Sequence, residues 1–368
     1  MPPLKMRDLP RDRWVLLETL SCAFGVSGAE GDVMEILDGL LKERFAGRKD
    51  RFGNRIYTKR GSEEVPRILL AAHADEIGFT VQAIHEKGYL SFVPIGSWSQ
   101  LAAAGMPVRI RGKKGFVEGV IGSVPPHHQP KGGASGLPDW EEMWVDIGAR
   151  GLREVCEVFG VRTGDMIVPC PIFRILSEGR VLMGKAWDDR VGCALLAEVL
   201  LDLEAEGTLH PNSVRAVATV QEEVGSRGAM VTADQTEADV AIVLEGAPAD
   251  DFPSQSAWQA QACMGKGVQI RSYDPSMISS PRLRDFLIDL AEKERIPWQV
   301  AVRRSGGTDG GPLHRAGEGV PTVVLAVPVR YAHNGVGLID LDDYEACLRL
   351  ICAACRHMTR EELQRLLP

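Results

Sequence analysis

The chain has 368 residues, 45% hydrophobic and 25% charged, a composition that is typical of globular proteins and excludes a disordered or fibrous chain. Its 42 basic and 50 acidic residues give a net charge of −8, which argues against a nucleic-acid partner, since such binding requires a basic face. No apolar run is long enough to span a bilayer, so we expect no membrane partner. The sequence shows no secretory signal and its eight cysteines are scattered, so we expect a cytoplasmic protein.

The first 77 residues alternate between helical and strand patterns. The spacing of apolar residues predicts helices over 14–24 and 30–45, followed by strands near 55–59 and 68–73. The last of these strands contains the uninterrupted apolar run ILLAA, which is typical of a central strand covered on both faces.

Residues 78–170 have a different character, because helical periodicity is nearly absent and glycine and proline separate short β-like segments. These segments are TVQAI, YLSFVPI, PVRIRG, GFVEGVIG and MWVDIG. Only residues 151–159 have a helical pattern. Evenly spaced short strands with turn residues between them predict a small all-β barrel or sandwich.

The α/β rhythm returns after residue 171. Helices are predicted over 190–206, 281–295 and 342–358, and strands over 213–221, 241–244, 299–302 and 322–327. We therefore predict an α/β domain formed by residues 1–77 and 171–368, interrupted by a β-rich insertion of residues 78–170.

Polar residues that bind metals follow the apolar strands. His73 and Asp75 lie two residues apart, so on a strand both face one side, where His73 is a candidate ligand and Asp75 a hydrogen-bond partner of the imidazole. A purely structural His–Asp pair is the alternative. Asp188 and Asp189 precede a predicted helix, where a carboxylate serves either as an N-terminal cap or as a ligand.

Two adjacent carboxylates, Glu222 and Glu223, follow another strand. They repel each other, and a bound cation removes that repulsion, although a solvated loop is an equally simple interpretation. Glu245 and His333 follow two further strands.

These strand ends together indicate a metal site, because ligands of open α/β sheets bind at the carboxyl ends of the strands. Two histidines with three or four carboxylates suit two divalent cations about 3.5–4 Å apart. The mixed nitrogen and oxygen donors favour zinc, cobalt or manganese over magnesium or calcium.

Five ordered motifs carry a resemblance to a known family. The segments HADEIGF, WDDRVGCAL, QEEVGSRGA, GGTDGGP and VRYAH resemble those of the tetrahedral (TET-type) metallo-aminopeptidases, which include glutamyl and deblocking aminopeptidases. The resemblance implies a mixed-sheet dinuclear-zinc exopeptidase domain with an inserted barrel, PDZ-like, that mediates dimerisation. It also implies a homo-oligomer in which dimers build a dodecamer.

The resemblance implies a role for each matching residue. Asp188 corresponds to the carboxylate that bridges two metal ions, with His73 and Glu245 completing one site and Glu223 and His333 the other. Glu222 corresponds to the general base, and Asp75 to the residue that orients His73.

This sequence departs from the family pattern at two places. The position of Glu245 is usually Asp, so the carboxylate here reaches one methylene further. The residues after His333, Asn-Gly-Val-Gly, lack the Ser and Glu that often follow this ligand, so the sequence names no hydrogen-bond partner for His333.

The resulting prediction is an aminopeptidase that hydrolyses the first bond of peptides with a free N-terminus through a metal-bridging water. The alternatives are a related amidohydrolase or deacylase on the same scaffold, and an inactive metal-binding assembly protein. Glu222 argues against the inactive protein, because metal binding alone requires no general base.

Overall fold

The structure is a computed structural model that describes residues 11–128, 138–207, 209–233, 235, 237–256 and 258–367. Residues 1–10, part of the segment in which the sequence predicts no secretory signal, lie outside this range. None of the helices in the described residues combines the length and the apolar character needed to cross a bilayer.

The secondary-structure elements are numbered in chain order. The helices are α1 (Arg11–Cys22), α2 (Gly31–Leu41), α3 (Gln100–Ala103), α4 (Trp187–Ala205), α5 (Arg227–Ala233), α6 (Pro281–Lys293), α7 (Gly310–Leu313), α8 (Leu341–His357) and α9 (Arg360–Leu366). The strands of the α/β part are β1 (Arg48–Lys49), β2 (Arg55–Arg60), β3 (Arg67–His73), β10 (Phe173–Leu176), β11 (Val181–Gly184), β12 (Ser213–Thr219), β13 (Val240–Pro248), β14 (Val268–Asp274), β15 (Met277–Ile278), β16 (Trp298–Val302), β17 (Thr322–Val329) and β18 (Gly337–Asp340). The strands between β3 and β10 are β4 (Gly78–Ile84), β5 (Leu90–Ile95), β6 (Pro107–Gly112), β7 (Gly115–Gly122), β8 (Trp144–Asp146) and β9 (Met166–Pro169).

A nine-stranded mixed sheet forms the centre of the α/β part. Strands β12, β3, β13 and β17 are parallel neighbours in that order, with antiparallel β2 beside β12 and antiparallel β14 beside β17. Because the four central strands are parallel, their carboxyl ends meet at one edge of the sheet.

Helices cover both faces of this sheet, which explains the continuous apolar run of β3. Ile68, Leu70 and Ala72 pack into the core that contains side chains of α1, α4 and α8. Leu69 and Ala71 point the other way, into the smaller core shared with α5 and α7. Both sets are buried, as period-2 alternation on a doubly covered strand requires.

The β-rich segment forms a closed six-stranded antiparallel barrel with the strand order β4-β5-β8-β7-β6-β9. It has its own apolar core, which includes Phe79, Val81, Val108 and Ile167. The mixed α/β sheet and this barrel confirm the fold class predicted from the sequence.

Two local predictions differ from the structure. The helix predicted over 151–159 is a short, wide π-helical segment, Glu154–Phe159. Strand β13 continues to Pro248, so Glu245 lies inside this strand instead of at its end. Its position is still close to the carboxyl end of the sheet, because β13 pairs with β17 in parallel at this point.

Candidate metal centre

The residues predicted to bind metal converge at the carboxyl edge of the sheet. His73 is the last residue of β3, Glu222 and Glu223 follow β12, and His333 lies in the turn after β17. Asp188 stands at the start of α4, where its backbone angles and those of Asp189 are not helical, so the regular helix starts after them.

Two clusters of candidate ligands share one carboxylate. In the first cluster, His73 Nε2 lies 3.0 Å from Asp188 Oδ1 and 3.8 Å from Glu245 Oε2. In the second, His333 Nε2 lies 3.5 Å from Asp188 Oδ2 and 3.5 Å from Glu223 Oε2. Within each cluster the ligand atoms all lie within 4.8 Å of one another, a spacing at which one ion can contact all three.

The charge balance of these clusters fits divalent cations. Neither Lys nor Arg forms an ion pair with Asp188, Glu223 or Glu245 in the part of the chain that the structure describes. Burial raises the pKa of Glu223 to about 8, and burial with the charge of Asp189 holds the pKa of Glu245 well above its usual range. A divalent cation supplies the positive charge that such buried carboxylates need.

Glu222 and Glu223 point to different histidines although they are adjacent. Glu222 Oε2 lies 4.0 Å from His73 Nε2, whereas Glu223 Oε2 is directed at His333. The other oxygen of Glu222, Oε1, accepts a hydrogen bond from Ser226 Oγ at 3.2 Å. The pair therefore presents one carboxylate to each cluster.

Asp75 organises this pair from a completely buried position. Its carboxylate accepts hydrogen bonds from the backbone amides of Glu222 and Glu223, at 2.9 and 3.1 Å, and from the Ser27 hydroxyl at 2.6 Å. His73 Nδ1 lies 3.1 Å from the Asp75 carbonyl and 3.5 Å from its carboxylate. Burial opposes the charge of Asp75, but the hydrogen bonds from His73 and Ser27 outweigh it and lower the pKa of Asp75 below its usual range.

Four hydrogen bonds at this site join residue pairs that the sequence analysis did not predict. Asp189 accepts hydrogen bonds from the amides of His73, at 3.1 Å, and Gly192, at 3.0 Å. Asp309, in the GGTDGGP motif, is buried and accepts a hydrogen bond from the hydroxyl of Thr219, the last residue of β12. His333 Nδ1 lies 3.0 Å from the backbone carbonyl of Ser97, a residue of the barrel.

Comparisons with known proteins agree with this geometry. The sequence profile of the M42 glutamyl aminopeptidase family matches residues 53–350. The chain is 36% identical to the putative aminopeptidase FrvX of Escherichia coli over 95% of its own length and 96% of that protein.

Solved structures show the same similarity. The TET aminopeptidase of a marine sediment archaeon, Thaumarchaeota archaeon SCGC AB-539-E09, superposes with a TM-score of 0.93 at 39% identity, over 97% of this chain and 99% of that one. The TET1 peptidase of Pyrococcus horikoshii, which can assemble into a tetrahedron or a large octahedral shell, has a TM-score of 0.83 at 31% identity, over 94% of this chain and all of that one.

Proposed function

The chain belongs to the M42 glutamyl aminopeptidase family and is a metal-dependent aminopeptidase, and we propose that it removes N-terminal residues from peptides at two divalent cations. The observation that carries this proposal is the position of Asp188, whose two oxygens face two different histidines, His73 at 3.0 Å and His333 at 3.5 Å. One carboxylate between two clusters is the arrangement expected when two cations share a ligand.

In the proposed site, His73 and Glu245 complete one set of ligands with Asp188, and Glu223 and His333 complete the other. The mixture of imidazole and carboxylate donors favours zinc, with cobalt and manganese as the alternatives. When bound, the two cations would lower the pKa of a shared water and polarise the carbonyl of the scissile peptide bond.

Glu222 is the proposed general base. The hydroxyl of Ser226 occupies its Oε1, which leaves Oε2 free beside the first cluster, 4.0 Å from His73 Nε2. Oε2 would accept a proton from the attacking water and later deliver it to the leaving amine. Asp75 supports this role indirectly, because it anchors the backbone amide of Glu222 and thereby fixes where the side chain starts.

The proposed substrates are peptides with a free N-terminus. The site is rich in carboxylates, and a protonated N-terminal amine is attracted to such an environment, whereas an acylated amine carries no charge. This preference would place the first peptide bond at the cations and make the enzyme an exopeptidase.

We further propose that residues 78–170 act in self-association, while residues 1–77 and 171–368 form the catalytic domain. The strands of residues 78–170 close into a barrel that has its own apolar core, which supports treating this segment as a unit distinct from the catalytic domain. The Pyrococcus horikoshii relative assembles into shells, and a dimer-based dodecamer is the assembly proposed for this chain.

Reconstitution tests the proposed activity. Metal-stripped protein is supplied with zinc, cobalt or manganese and assayed on a panel of aminoacyl chromogenic amides and on the same amides with an acetylated amine. We expect hydrolysis of the free-amine substrates only, and only after a metal is added. Hydrolysis of the acetylated substrates would indicate a deacylase, and full activity of the metal-free protein would contradict the proposal.

A further inference from the structure

The barrel reaches into the second ligand cluster through the loop between β5 and α3. In this loop, the backbone carbonyl of Ser97 accepts a hydrogen bond from His333 Nδ1–H at a distance of 3.0 Å. A donated Nδ1 proton leaves the lone pair of Nε2 available, and Nε2 is the atom that faces Asp188 and Glu223. The carbonyl of a barrel residue thus fixes both the tautomer and the ring orientation that a metal ligand requires.

The residue before Ser97 lies close to the same cluster. Gly96 has a left-handed backbone, with φ at +79°, and a Cβ at this position would lie 2.5 Å from Cγ2 of Ile77 and 3.5 Å from Cβ of Glu223. Only glycine therefore allows the loop to pack this closely against Ile77. The loop thus accepts a hydrogen bond from His333 and lies beside Glu223, the two residues that belong to the second cluster alone.

The first cluster is supported in a different way. His73 Nδ1 lies against the carbonyl of Asp75, and the amide of His73 donates to Asp189, so both of these supports come from the α/β part. The side chain of His73 is 2% exposed, whereas that of His333 is 35% exposed. The two clusters thus differ both in burial and in the part of the chain that holds their histidine.

We propose that the barrel loop of residues 96–98 is a positioning element of the metal site, and that it governs metal affinity at the Asp188–Glu223–His333 cluster but not at the His73–Asp188–Glu245 cluster. The inference rests on the proposed two-metal function. It implies that the second cluster binds its ion more weakly and exchanges it more readily than the first. It also implies that the position of the 96–98 loop and the metal occupancy of the second cluster depend on each other.

Two glycine variants test this inference as a matched pair. Gly96→Ala introduces a Cβ that collides with Ile77. Gly105→Ala introduces one in the same barrel, at a similar φ of +81°, and apart from its chain neighbours no heavy atom of the described residues lies within 4 Å of it. Both variants impose the same left-handed backbone strain, so they differ mainly in whether the 96–98 loop must move.

Calorimetric and spectroscopic titration with Co²⁺ provides the readout. We expect two bound ions in the wild type and in Gly105→Ala. Gly96→Ala should keep the affinity for the first ion and bind the second about 10-fold or more weakly, the usual effect of losing a partner of a ligand histidine. Adding Ile77→Ala to Gly96→Ala removes the colliding methyl group and should restore part of the second affinity.

A second measurement uses the unmodified protein, in case Gly96→Ala does not fold. Hydrogen–deuterium exchange of residues 96–99 is compared at zero, one and two equivalents of Zn²⁺. We expect protection of this loop to appear with the second equivalent. Protection that is complete at the first equivalent, or equal second-ion affinities in the two glycine variants, would overturn the inference alone. A wild type that binds fewer than two ions would overturn the proposed function together with it.

Discussion

The backbone amide of His73 donates a hydrogen bond to Oδ2 of Asp189 at 3.1 Å, and this bond ties the end of β3 to the start of α4. The other oxygen of Asp189 accepts from the amide of Gly192, as the side chain of a helix cap does. Asp188 is the preceding residue, so the bond also fixes the distance between a candidate ligand on the strand and the candidate bridging ligand.

Replacing Asp189 by alanine should therefore affect stability and metal binding together. Two buried amides lose their acceptor, which costs about 1–3 kcal/mol for each donor left unpaired. We expect a lower free energy of unfolding in urea and weaker binding of both ions. Thr359→Ala is the matched control, because it also removes a side-chain cap, that of α9, at a residue that is not part of either ligand cluster. It should lower the free energy of unfolding by about 1 kcal/mol and leave metal affinity unchanged. Normal metal binding by Asp189→Ala would show that the bond is only a helix cap.

Asp188→Ala should be the most damaging of the ligand substitutions. It removes the one carboxylate shared by both clusters, so metal analysis should find less than one ion per chain, whereas Glu245→Gln should lose one ion and keep the other. Glu245→Asp places in this chain the residue usual among TET-type enzymes and should retain two ions. If Asp188→Ala still bound two ions, Asp188 would not be the bridging ligand.

Glu222→Gln and Glu223→Gln should separate catalysis from metal binding. Glutamine at position 222 keeps the shape of the side chain but accepts no proton, so we expect two bound ions, unchanged KM and a kcat reduced by roughly 10²–10⁴. Glutamine at position 223 should weaken the binding of one ion, and added metal should partly restore activity. The opposite pattern of metal loss would reverse the two assignments, and normal turnover in both variants would refute the mechanism.

The strand pattern was sufficient to predict that the candidate residues converge, because each lies at or near the end of an apolar segment and parallel strands bring such ends together. The division of these residues into five ligands and one general base came from the resemblance to the TET-type aminopeptidases, and it stays a prediction. The contact of Ser97 with His333 could not be predicted in this way, since it involves a backbone carbonyl 236 residues away in the chain and leaves no side-chain signal.

Strand β14 was missed for a related reason. Gln269 and Arg271 interrupt its apolar pattern, yet both are buried, and Arg271 is paired with Asp274 at 3.1 Å. A charged residue that is buried and paired has the same local sequence pattern as an exposed one. The position of Glu245 within β13 was mistaken because the following Gly-Ala-Pro resembles a turn, whereas it continues the strand beside β17.

His210 should make stability depend on pH. Burial lowers the pKa of His210 below its usual value of 6.5, although Asn212 accepts its Nδ1 proton at 2.8 Å, and its Nε2 has no partner in the described residues. The folded protein therefore keeps this ring neutral while the unfolded chain takes up a proton, so stability present above pH 6.5 is lost as the pH falls below it.

The measurement is the free energy of unfolding of the wild type and of His210→Gln between about pH 7.5 and 5.5. We expect the advantage of the wild type over the variant to shrink as the pH falls, since the variant has no titrating ring. Subtracting the two curves removes the contribution of the metal site, which both proteins share. A difference that is constant with pH would show that His210 titrates alike in the folded and unfolded states.

The barrel should hold subunits together. We expect the wild type to sediment as an oligomer, and a variant in which residues 78–170 are replaced by a short linker to sediment as a smaller species. Because the 96–98 loop is lost with the barrel, this variant should also bind the second ion weakly. A wild type that sediments as a monomer at working concentration would contradict the assembly proposal.

The strand order of the central sheet has a consequence for synthesis on the ribosome. Strand β3 lies between β12 and β13, both of which follow the whole barrel in the chain, and β12 also separates β3 from β2. During synthesis the strongly apolar strand β3 therefore remains unpaired until β12, which ends at residue 219, has left the exit tunnel. The barrel is contiguous and closes on itself, so we expect it to fold first and to act as a solubilising neighbour for β3 during this interval.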